Sequence, residues 1–189
     1  MSWLRSTGLR DAFVAVALAV SFGAVWAQDA PPKDAPQQGM SGGCESFKWP
    51  IDKERAAFES AGLEQVASGA ARGPLKEQAF ALALAPVADV AYALPPTRKK
   101  KDSGSAEFGG IVAFAAPEKA GMYQVTLSSE GWIDLVQDGA ALKSADHSGS
   151  KNCPGLRKSV RFEVSGAPVT LQISGAPAGT IKVGIRPAE

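Results

Sequence analysis

Alternation of apolar and polar residues dominates the C-terminal part of the chain. Tyr123, Val125 and Leu127 fall on one side of an extended segment, with Gln124, Thr126 and Ser128 on the other. The same period of two sets Val160, Phe162 and Val164 against Arg161 and Glu163. It also sets Val169, Leu171 and Ile173 against Thr170, Gln172 and Ser174, and Ile181, Val183 and Ile185 against Lys182 and Arg186. Successive side chains of a strand point to opposite faces, so each segment reads as a strand with one buried face. Phe108 to Ala115 and Gly131 to Gln137 are further strands, the second closed by the hairpin signal Asp138-Gly139. Short strands at this spacing, separated by Gly/Pro turns, predict a mainly β fold, an antiparallel β-sandwich or jelly roll. A βαβ sheet is disfavoured, because no helical pattern separates the strands.

The pattern ahead of these strands differs. Phe47 and Trp49 precede Pro50, which suits a helix start, and the predicted helix runs from about Ile51 to Val66, with Asp52 and Glu54 near its positive end and Gly69 beyond its tail. Its rough stripe of Ile51, Phe58, Ala61 and Leu63 is expected to lie across the sandwich or to cover an edge. Phe80, Leu82 and Leu84 alternate with alanines as a strand covered on both faces, with a second short strand over Val87 to Tyr92. Residues 28–43, QDAPPKDAPQQGMSGG, hold almost nothing large to bury and read as a disordered linker. The single domain therefore spans residues 44–189.

The first residues change the compartment. Arg5 and Arg10 precede an apolar run from Ala12 to Val25, and Val25-Trp26-Ala27 fits a signal-peptidase site, so residues 1–27 read as a secretory signal and the mature chain as periplasmic or secreted. The run falls short of a membrane span, and no span is expected after cleavage. Taking Arg5, Arg10 and Asp11 from the 20 basic and 19 acidic residues leaves 18 of each. Such balance argues against nucleic acid, whose binding needs a basic surplus. In an oxidising compartment the two cysteines, Cys44 and Cys153, are expected to form a disulfide that fastens the N-terminal segment to the later strands.

The phrase GMYQVTLSSEGWIDLVQDG, from Gly121 to Gly139, resembles the bacterial pre-peptidase C-terminal type of β-sandwich. That resemblance covers about the last half of the chain and implies a non-catalytic module that binds a substrate or surface, in some cases with calcium. The chain departs from it in carrying Cys153 and the N-terminal helix and in having no protease attached. In general look it is also similar to small exported proteins labelled homogentisate 1,2-dioxygenase, which implies an iron enzyme. A ring-cleaving iron site of that kind needs two histidines and a carboxylate, and this chain has His147 alone.

Candidate ligand-binding residues follow from side-chain chemistry. Trp132 beside Asp134 and Lys158 is what a sugar-binding face uses, although Trp132 also reads as core. Asp134, alternating with Trp132 and Val136, is expected on the inner side of its strand, where it needs Lys158 or Arg157 as an ion-pair partner or a ligand or Ca²⁺ contact instead. His147, set among Ser, Gly, Asp and Lys, reads as an exposed turn histidine. Asp146, His147 and Ser148 are adjacent in the chain and cannot by that alone supply triad geometry. Arg98, Lys99, Lys100 and Lys101 form a basic contact loop for an acidic polymer or lipid head groups, or simply a solvated run. No catalytic residue, resident metal or cofactor is assigned. The leading expectation is an exported, non-catalytic sandwich that binds a protein, a glycan or an envelope component. A structural or stress-related envelope protein and an enzyme are the alternatives.

Overall fold

The inward-facing halves of the alternating segments assemble into one core between two sheets. The structure, a computed structural model, describes residues 42–98 and 107–189. The signal, most of the linker and Lys99 to Lys101 lie outside the described residues. The first sheet contains β1 (Glu64–Val66), β3 (Gln78–Ala83), β6 (Gly121–Leu127), β9 (Ser144–Gly149), β10 (Lys158–Val164) and β12 (Thr180–Pro187), in the order β1-β3-β12-β6-β10-β9. The second contains β2 (Ala70–Pro74), β5 (Phe108–Ala115), β7 (Trp132–Gln137), β8 (Ala140–Ala141) and β11 (Val169–Ala176), in the order β2-β5-β11-β7-β8, with β4 (Ala85–Pro86) also on β5. Phe80, Val125, Leu127 and Val183 of the first sheet meet Val112, Leu135, Leu171 and Ile173 of the second in a shared apolar layer. This is the predicted β-sandwich.

Central pairings are antiparallel, but the two edge strands β1 and β2 pair parallel to β3 and β5. The sheets are therefore mixed rather than purely antiparallel. The chain crosses from one sheet to the other between β1 and β2, where Gly69 takes a φ of 88° and its N–H donates to the Ile111 carbonyl at 2.8 Å. The hairpin forms as predicted: Asp138 and Gly139 have φ of 52° and 74°, the mirror-image turn that matches strand twist, and Gln137 pairs with Ala140.

The helix is shorter than predicted. It covers Asp52–Glu59 (α1), and residues 64–66 are strand β1. Its buried positions are Glu54 and Phe58; the next on that stripe is Gly62, which has no side chain to bury, so the helix ends and Val66 reaches the core from an edge strand instead. A second correction concerns Val87 to Tyr92, where no strand forms: Val87–Asp89 is a 3-10 turn.

Alternation predicts solvent on the polar faces, yet several of those residues are buried. Gln124, Thr126 and Ser159 are fully inaccessible and Arg186 is 3% exposed, because the N-terminal segment lies over the outer face of the first sheet. Phe47, Trp49, Ile51 and Phe58 form a second apolar cluster there with Cys153 and Leu156. The Trp49 indole donates to Ser159 Oγ at 3.1 Å, Arg186 Nε donates to Glu54 Oε1 at 2.7 Å, and Gln124 Nε2 donates to the same oxygen at 2.6 Å. Cys44 and Cys153 are disulfide-bonded, with Cα atoms 4.5 Å apart, and so fix the start of this layer. Among the described residues no helix is long and apolar enough to cross a membrane.

Candidate functional site

The outer face of the second sheet is covered by a different device. Ile133 and Leu135 take the inward positions of β7, so Trp132 and Asp134 point outward. Asp134 is nonetheless only 5% exposed, because the segment from Tyr92 to Thr97 crosses over it as a strap. Tyr92 Oη donates to the Ile173 carbonyl at 3.0 Å. The Gln172 amide imitates a backbone rung, accepting from Leu94 N and donating to Leu94 O, both at 3.1 Å. Thr97 donates twice to Asp134, from its backbone N at 3.1 Å and from its hydroxyl at 2.5 Å.

Asp134 thus lies on the outer side of its strand, not the inner side, and its burial comes from the strap. Its predicted ion pair with Lys158 or Arg157 is absent. Thr97 and the Trp132 indole N–H, at 3.0 Å from Oδ1, satisfy it instead, and Arg157 turns to Glu130 at 2.6 Å. With both oxygens turned to protein donors, Asp134 serves as an anchor. Among the described residues no three His, Cys, Asp or Glu side chains gather as metal ligands would.

Trp132 is the one exposed large apolar side chain among the described residues, at 37%. Its indole N–H is shared between Asp134 and the Thr97 hydroxyl, 2.9 Å away, which fixes the ring plane. The Lys158 ammonium stands 4.8 Å from the ring centroid and donates to the Gly131 carbonyl at 3.2 Å. Half-burial lowers the Lys158 pKa, opposed by the nearby charges of Glu130 and Asp134 and assisted by Arg157. No carboxylate of the described residues lies within ion-pair distance of it.

Trp132 and Lys158 form part of the walls of two adjoining hollows. One, of about 290 Å³, opens between the sheets and is closed by His147, Ser144, Ile133 and Val160. The other, of about 790 Å³, continues past Thr97, Glu130, Lys151 and Arg157. His147 is exposed as expected, but it stands on the edge strand β9, opposite Val160, rather than in a turn. Because side chains alternate along β9, Asp146 and Ser148 point away from His147; they bond Lys48, through its ammonium at 2.6 Å and its backbone N–H at 2.9 Å respectively. A Ser-His-Asp relay is therefore not assembled.

Three of the four candidate ligand residues, Trp132, His147 and Lys158, thus share one hollow, with Asp134 bracing the first of them. The basic loop divides: Arg98 is ion-paired with Glu107, and Lys99 to Lys101 lie outside the described residues. Sequence reasoning missed the strap. Its signal was the set of polar residues at outward sheet positions, Asp134 and Gln172, facing a stiff Pro95-Pro96 segment. The whole is a two-sheet β-sandwich with a strap on each outer face and one fixed aromatic at the open end of the sheets. Comparison with protein-family models, with curated proteins and with solved structures finds no match to this chain.

Proposed function

We propose that the protein is an exported, non-catalytic β-sandwich module that binds a glycan of the cell envelope or its surroundings at Trp132. The observation that carries this reading is the posture of that tryptophan. A large exposed apolar ring is normally left mobile, whereas here three side chains spend their polar groups holding it in place beside two hollows. A ring immobilised before the ligand arrives loses little further entropy on binding, which favours stacking against the flat apolar face of a sugar. Hydroxyl partners are at hand in Lys158, His147 and Ser144. The N-terminal signal pattern and the disulfide support export.

The test is a titration of the mature chain with oligosaccharides, read by calorimetry, beside the variant Trp132→Ala. Saturable binding that weakens at least about tenfold in the variant is the expected result. Equal affinity in the two proteins, or no saccharide binding at all, overturns the reading.

A further inference from the structure

Resting on that reading, we infer that the glycan taken by Trp132 is acidic, a saccharide whose ring carboxylate seats on Lys158. The charge inventory around the larger hollow points this way. Its wall carries Arg98, Lys151, Arg157 and Lys158 against one carboxylate, Glu130. Arg157 is matched to Glu130 at 2.6 Å and Arg98 to Glu107, so the two arginines are spoken for. Lys158 and Lys151 have no acidic partner among the described residues.

Lys158 is the telling one of the pair. A half-buried ammonium that gains only a carbonyl and the face of an indole is under-compensated, since loss of water from a cation is offset fully only by an anion or several acceptors. Asp134 does not fill that role, its oxygens being turned to Thr97 and Trp132. A pyranose stacked on the exposed part of the indole brings a ring carboxylate beside an ammonium that already stands 4.8 Å from the ring centroid. The contact is a charge-assisted hydrogen bond in a partly desolvated setting, stronger than any bond to a neutral hydroxyl. A neutral sugar would give the ammonium a hydroxyl acceptor but no counter-charge.

The discriminating experiment titrates the mature chain with oligogalacturonate and with neutral galactose oligomers of equal length, at low and at high salt. The acidic series is expected to bind about tenfold tighter at low salt, with the advantage shrinking as salt rises. Lys158→Gln is expected to lower the acidic affinity about tenfold more than the neutral one, so that the preference disappears, and Lys158→Arg to retain it. Circular dichroism and an intact disulfide establish that each variant is folded. Equal affinity for the two series, or a preference unchanged in Lys158→Gln, overturns the acidic assignment and leaves the glycan reading standing. Failure of both series to bind removes the reading beneath it.

Discussion

The Trp132 indole donates to the carboxylate of Asp134, two residues further along the same outward face of one strand, at 3.0 Å. The same carboxylate receives the backbone and hydroxyl of Thr97, so one buried acid ties the exposed ring to the strap. Asp134→Ala removes three acceptor contacts and orphans two donors, and a loss of about 2 kcal/mol in urea unfolding is expected. Thr97→Val deletes the hydroxyl alone and is expected to cost less. In the double mutant the two effects should fall short of their sum by about 1 kcal/mol, since the residues share a network. Strict additivity would show that strap and ring are independent.

The strap also rests on the absence of a side chain. A Cβ at Gly109 would lie 1.8 Å from Tyr92 Oη and 2.7 Å from the Ile173 carbonyl oxygen, the atom to which Tyr92 donates. Gly109→Ala is therefore expected to expel the phenol and destabilise the fold by about 1 to 3 kcal/mol. Tyr92→Phe in the same chain should recover only part of this, because the carbonyl belongs to a paired strand and cannot retreat. Burial also raises the Tyr92 pKa, so an ultraviolet titration of the tyrosines should show its phenol ionising above the ordinary range in the native protein and within it in the expelled variant.

The strands whose apolar residues alternate cleanly were readable from sequence, because burial of one face is a period-two signal written in the side chains themselves. β10 occupies Lys158–Val164 and contains the whole alternation of Val160, Phe162 and Val164 with Arg161 and Glu163. What escaped had no such signal. β9, Ser144–Gly149, has no large apolar residue and is held by backbone pairing to β10 and by the bonds of Asp146 and Ser148 to Lys48; β1 and β2 are edge strands added in parallel. The hollow beside Trp132 depends on which segment crosses which face, a long-range relation that alternation does not encode. Residue chemistry placed Trp132, Lys158 and His147 among the candidates, while pairing Asp134 with a cation failed because a neutral threonine from a remote loop reaches it first.

Glu54 and Arg186 are 4% and 3% exposed and bonded at 2.7 Å, joining the helix to β12. Their bond lies under the N-terminal layer, where an unmatched charge is expensive. Glu54→Gln is expected to destabilise by about 3 kcal/mol, because the buried Arg186 guanidinium then keeps only the exposed Glu189 carboxylate, 3.5 Å from its Nη1, as counterion. Replacing both by apolar residues, Glu54→Leu with Arg186→Met, should restore most of the loss, as a buried pair commonly exchanges for packing at little net change. A double variant weaker than the single would show that the pair itself stabilises the layer.

Disulfide removal addresses the same layer from its other end. Cys44 and Cys153 lie 109 positions apart in sequence, and freeing a loop of that length returns about 4 to 5 kcal/mol of chain entropy to the unfolded state. The double variant Cys44→Ser with Cys153→Ser should lose an amount of this order in denaturant unfolding. Amide exchange should rise first at Phe47 and Trp49, whose cluster includes Cys153, before it rises in the central strands. Uniform loss of protection across both sheets would contradict a layer that is separately fastened.

Asp146 offers a test in solution that needs no unfolding. Its carboxylate accepts from the Lys48 ammonium at 2.6 Å and from the His147 backbone N–H at 2.7 Å, and these bonds hold its pKa below the ordinary carboxylate value. A depressed pKa means that the folded state favours the ionised form. The associated stability is present above the ordinary value and is lost as pH falls through the depressed one. Carboxyl NMR should therefore place the Asp146 midpoint below that of a free aspartate, and Lys48→Met should move it upward. The remaining depression belongs to the His147 N–H and should persist in that variant. A midpoint unchanged by the substitution would mean that Lys48 does not hold β9 in solution, and with it the edge that carries His147 beside Trp132.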